Sequence, residues 1–136
     1  MISDDLAREL RLAGLAWRPT PGDRFRIEAE LLKGSLFTLS DMTIEAHEFD
    51  SGTVLGFNGM TEWALDSVAL DDVLWLPRED QLRTMLGGTF RSLTVDDGGY
   101  HVHVVQPDGV ARTVTAAAAP EAYGMALLEL IALARV

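Results

Sequence analysis

Apolar positions recur at helical spacing at the start of the chain. Leu6, Leu10 and Ala13 share one side, and Arg8, Glu9 and Arg11 lie off it. The pattern predicts a helix over residues 2–14. Ser3 would be its N-cap, Asp4 and Asp5 would sit near the positive end of its dipole, and Gly14 would take the left-handed position after it. A connection rich in proline and glycine follows, with Trp17 as its anchor. From residue 23 the period changes to two. Phe25, Ile27 and Ala29 face one way, and Arg24, Arg26 and Glu28 the other, which predicts a half-buried strand. Lys33-Gly34-Ser35 reads as a turn. Further strands are expected over residues 36–39, 42–49, 53–57 and 61–65. Residues 67–72 would be an irregular or 3₁₀ turn, and residues 73–76 another strand. Asp50-Ser51-Gly52 and Asn58-Gly59 carry turn chemistry.

Pro77 would open a second helix running to Leu86, with Leu82, Met85 and Leu86 on its buried side and Gly87-Gly88 as its end. Three strands are then expected over residues 90–95, 100–105 and 110–115, joined at Asp96-Asp97-Gly98-Gly99 and Pro107-Asp108-Gly109. A last helix over residues 120–134 holds Tyr123, Met125, Leu127, Leu128, Leu130, Ile131 and Leu133. Glu121 and Glu129 are its only charges. A helix that apolar needs cover on most sides, from a sheet or from another subunit. The sum is an α+β fold of antiparallel sheet and three helices, one N-terminal, one in the middle and one C-terminal. It forms a single domain over residues 1–136 with two subregions, a helix and β-meander over 1–76 and an α-β-β-β-α unit over 77–136.

Composition narrows the function classes. The 136 residues carry 21 acids against 11 bases, a net charge of −10. A field of that sign repels phosphate backbones and anionic membranes, so neither nucleic acid nor a membrane is an expected partner. No cysteine is present, which rules out disulfides, thiolate metal sites and thiol nucleophiles. The N-terminal stretch has acids where a signal peptide needs bases, and Glu129 interrupts the longest apolar run. These features predict a soluble cytoplasmic protein.

Candidate chemistry is sparse. His101 and His103 share one face of a predicted strand, as in some metal sites, although no third ligand stands at strand spacing. Glu45 and His47 share a face beside Asp50, a carboxylate–imidazole pairing that suits a general base but comes without a nucleophile. Asn58, Glu62 and Asp66 flank Trp63, and that group, with His47 nearby, is the candidate small-ligand site. No phosphate loop, dinucleotide fingerprint, HExxH, GxSxG or EF-hand pattern occurs, and no cofactor is expected.

The order of elements over residues 77–134 resembles a double-stranded RNA-binding domain. The lysine cluster such domains carry at the last helix is replaced here by TAAAAPEAYGMA, so RNA binding is not implied. The alanine-rich approach to a leucine-rich closing helix also resembles phage-type α/β/α sandwich proteins. Over nearly the whole chain, MISDDLARELRLAGLAWRPTPGDRF, FTLSDMTIEAHEF, GFNGMTEWALDSV and WLPREDQLRTMLGG resemble a family of small acidic actinobacterial proteins, some labelled pilus-assembly proteins. That resemblance implies a bacterial protein and transfers no catalytic residue. The leading expectation is a non-enzymatic interaction module that self-associates, as a homodimer, through the C-terminal helix. The alternatives are a small-ligand binder at Trp63 and a metal-dependent hydrolase around His47 or His101 and His103.

Overall fold

The computed structural model describes residues 1–28, 35–39, 44–49, 52–57, 67–69 and 72–134. Its class is α+β, as the hydrophobic pattern requires. The described elements run α1 (Asp4–Leu12), β1 (Arg24–Ile27), β2 (Leu36–Thr38), β3 (Ile44–Phe49), β4 (Gly52–Phe57), β5 (Ser67–Ala69), β6 (Val73–Leu76), α2 (Glu79–Leu86), β7 (Phe90–Asp96), β8 (Gly99–Val105), β9 (Ala111–Ala116) and α3 (Ala119–Ala134). The strands form three antiparallel three-stranded sheets, in the orders β2-β1-β6, β3-β4-β5 and β7-β8-β9.

The chain divides into two compact units, one of residues 17–76 and one of residues 1–16 with 77–136. One unit ends at Leu76, and the other takes up the chain again at Pro77. Helix α1, however, belongs with the C-terminal half, because its apolar stripe packs on α3.

In the unit of residues 17–76, β1 is the central strand of its sheet. Phe25 lies opposite Phe37 on one side and Trp75 on the other. Phe25, Ile27, Leu74 and Leu76 are fully buried. Each such side chain contributes about 1.5–3 kcal/mol of hydrophobic stabilisation. Trp17 stacks on Trp75 with centroids 6.3 Å apart and tilts against Phe25 at 5.5 Å. The buried Asp23 fixes this arrangement. Its Oδ2 accepts from Trp17 Nε1 at 2.8 Å and from the Thr20 amide at 3.0 Å.

In the other unit, Ser3 caps α1 by accepting from the Leu6 amide at 3.2 Å. At the far end, Leu15 N–H donates to Leu10 O and Gly14 N–H to Arg11 O, with Gly14 at φ 112°. That is a Schellman ending, available to glycine because it has no Cβ. The Ser3 amide also donates to the Glu121 carboxylate at the start of α3. Leu6, Ala7 and Leu10 are buried, and α1 comes so near α3 that a Cβ on Gly124 would stand 2.6 Å from Leu6 Cδ2. Helix α3 also packs on α2, β8 and β9, above the buried Val102, Val104 and Val114.

Two boundaries differ from the sequence expectation. Pro77 does not open α2. Arg78 is extended, at φ −75° and ψ 160°, and acts as N-cap, with its amide donating to Gln81 Oε1 at 2.9 Å. Glutamine at the third helical position reaching back in this way sets the start two residues later. Ser67–Ala69 is a strand and not a turn, because it pairs with β4 through Leu55↔Val68 and its neighbours. A partner strand, absent from any local window, decides so short a segment. The strand expected at 61–65 and the Lys33-Gly34 and Asn58-Gly59 turns lie outside the described residues.

Candidate functional site

Helix α3 carries the apolar surface that the sequence singled out. Its first half is covered: Ala119, Ala122, Tyr123, Gly124, Ala126 and Leu127 are buried. Beyond Leu127 the cover thins. Leu128, Leu130 and Ile131 are half-buried and Leu133 is exposed at 37%; within the covered stretch Met125 alone points outward, at 39%.

Beside this end of α3 lies an open groove of about 520 Å³, lined by Gln106, Asp108, Val110, Arg112, Glu129, Ala132 and Leu133. Val110 is half exposed. Arg112 on β9 faces Glu129 on α3 at 3.4 Å, across the seam between sheet and helix. The second carboxylate oxygen of Glu129 is buried and has no hydrogen-bond partner among the described residues. The groove therefore holds apolar surface, a loosely held ion pair and one unsatisfied acceptor.

The opposite face of the β7-β8-β9 sheet carries the histidine pair. Strand β8 alternates, with Val102 and Val104 toward the core and His101 and His103 away from it. His101 Nε2 lies 2.7 Å from Asp96 Oδ1, and its Nδ1 lies 2.7 Å from Thr115 Oγ1. His103 sits between Thr113, at 3.0 Å from Nδ1, and Thr94, at 2.9 Å from Nε2. A carboxylate only accepts, so His101 Nε2 carries a proton and donates to Asp96, and in the neutral ring Nδ1 accepts from the Thr115 hydroxyl. The Asp96 carboxyl is held below its ordinary value of 3.8, first by the His101 hydrogen bond and then by the Gly98 amide.

Every ring nitrogen of the pair is thus engaged. Hydroxyl partners can donate or accept, so the face accommodates either protonation state of the rings. Among the described residues, no group of three His, Cys, Asp or Glu is arranged to hold a metal ion. Asp96 was missed as a histidine partner because it sits at a hairpin turn and not at strand spacing. The signal was there in the Asp97-Gly98 turn, which pairs Asp96 with Gly99 and brings Thr94 opposite His101.

Of the other expected residues, only those on β3 fall among the described ones. His47 lies on β3 opposite Val54, and Glu45 opposite Gly56. Trp63, Asn58, Glu62, Asp66 and Asp50 lie outside the described residues. Trp75 stacks on Trp17. No described helix is long and apolar enough to cross a membrane. No protein-family model, curated protein or solved structure matches this chain.

Proposed function

We propose that this protein is a non-catalytic interaction module that pairs with a second copy of itself through the C-terminal end of α3 and the groove beside it. The observation that carries this reading is the thinning of cover toward the C-terminal end of a helix that is apolar all round. The groove suits a second copy better than an unrelated chain because it holds both signs of charge. A two-fold axis would bring Arg112 of one copy toward Glu129 of the other, and a guanidinium has donors to spare for the unsatisfied Glu129 oxygen. The apolar strip of Val110, Ala132 and Leu133 would be buried against its own image.

Sedimentation equilibrium tests this. The wild type should be dimeric at micromolar concentration, and Leu133→Glu should be monomeric with its circular dichroism unchanged. Arg112→Glu should weaken the dimer, and adding Glu129→Arg should restore it. A wild type that stays monomeric at high concentration would sink the proposal.

A further inference from the structure

A second cleft, of about 480 Å³, lies between α2 and α3 and is lined by Glu79, Asp80, Arg83, Thr84 and Tyr123. Its volume falls in the range of small-molecule sites. Two of its polar groups are already committed. Asp80 is held by Arg78 at 3.0 Å, and the Thr84 hydroxyl donates to the Asp80 carbonyl at 2.8 Å. Three others are not. Tyr123 is 2% exposed, yet its hydroxyl makes no hydrogen bond to any described residue, and the residue lines the cleft.

Glu79 and Arg83 stand one helical turn apart, in the order that favours an ion pair. None forms among the described residues, because the guanidinium lies over the Phe90 ring, 4.7 Å from its centroid. Phe90 in turn packs against Tyr123 at 5.6 Å. Both charges are close enough to the Tyr123 hydroxyl to act on its ionisation, Arg83 favouring the phenolate and Glu79 opposing it. The cleft thus presents a cation, an anion and a hydroxyl, none of them bonded to another, around an aromatic wall.

We propose that this cleft binds a small zwitterion of the amino-acid kind, its carboxylate held by Arg83 and the Tyr123 hydroxyl and its ammonium by Glu79. A simple anion would leave Glu79 as a repulsive neighbour, and a simple cation would leave Arg83 as one. Only a ligand carrying both charges at short separation satisfies all three groups.

The test is a titration of ¹⁵N-labelled full-length protein at fixed ionic strength with L-alanine, acetate and methylammonium in turn, read at the amides of Thr84 and Tyr123. L-alanine should give saturable shifts at least about tenfold tighter than either single-charge probe. Arg83→Gln should abolish them. Glu79→Gln, a change at an exposed side chain, should remove the preference for L-alanine over acetate. Tyr123→Phe should weaken binding several-fold without lowering Tm, because the lost hydroxyl has no bond within the protein. The absence of saturable shifts, equal binding of acetate and L-alanine, or a Tyr123→Phe variant that binds as tightly as wild type would each overturn the proposal.

Discussion

Asp23 shows how one side chain organises its surroundings. A carboxylate with 1% exposure is tolerated because it accepts from an indole and a backbone amide, and the peptide of the same residue joins the Leu39 segment. Asp23→Ala leaves the Trp17 indole N–H and the Thr20 amide without this acceptor. It should destabilise the unit of residues 17–76 by about 2–4 kcal/mol, measured by urea unfolding followed through tryptophan fluorescence. Trp75 is the contrasting case. Its Nε1 is buried and meets no acceptor among the described residues, while its ring stacks on Trp17.

Two titrations belong to the same scale. The Asp96 carboxyl lies below 3.8 in the folded chain, so the stabilisation it supplies is present above 3.8 and is lost as pH falls through the folded value. Asp96 is exposed, so the effect belongs to the residue and not to global stability. Its titration, followed by NMR, should move up toward 3.8 in His101→Ala. Tyr123 behaves in the opposite sense. Burial, partly offset by the charge of Arg83, holds its phenol above 10.0. The corresponding stabilisation is complete below 10.0 and is lost as pH rises through the folded value. Wild type should therefore lose more stability above pH 10 than Tyr123→Phe does, as measured by thermal unfolding across that range.

At the scale of elements, the packing of α1 on α3 turns on Gly124. Glycine inside a helix costs about 1 kcal/mol relative to alanine. Here it admits Leu6 and Ile2 of the facing segment, with Leu6 Cδ2 inside the space a Cβ would need. Gly124→Ala should destabilise the wild type, because overpacking a tight contact costs about 1–3 kcal/mol. In a Leu6→Ala background the same change should be neutral or stabilising by up to about 1 kcal/mol, because the obstruction is gone and the helix propensity remains. A double-mutant cycle by chemical denaturation measures that reversal of sign. Additive effects of the two changes would show that the close approach does not limit the packing.

At the scale of the whole molecule, charge and association are coupled. A chain of net charge −10 repels its own copy at long range, while the proposed contact is an apolar strip with one pair of exchanged charges. The Debye length falls from about 30 Å at 0.01 M salt to about 8 Å at 0.15 M. Dimerisation should therefore tighten as salt rises over that interval, read by sedimentation velocity. Weakening with salt would mean that the Arg112–Glu129 exchange, and not the apolar strip, dominates the contact.

Local pattern alone specified most of the elements. The i, i+4 spacing of Leu6 and Leu10 gave α1, Ser3 and Gly14 marked its ends, and the period of two gave β1 and the two faces of β8. These follow from sequence because capping and periodicity act between residues a few positions apart. The α+β class follows in the same way, as does the surplus of apolar surface on α3. What the tertiary structure decided are relations across distance. They include β1 pairing with β6 as well as β2, α1 packing on the C-terminal half, a three-residue strand at Ser67–Ala69, and Asp96 beside His101. The cleft that joins Arg83 to Tyr123 belongs with them, since its walls come from helices separated by a whole sheet in the chain. Those juxtapositions depend on which surfaces bury one another, and no window along the sequence contains both partners.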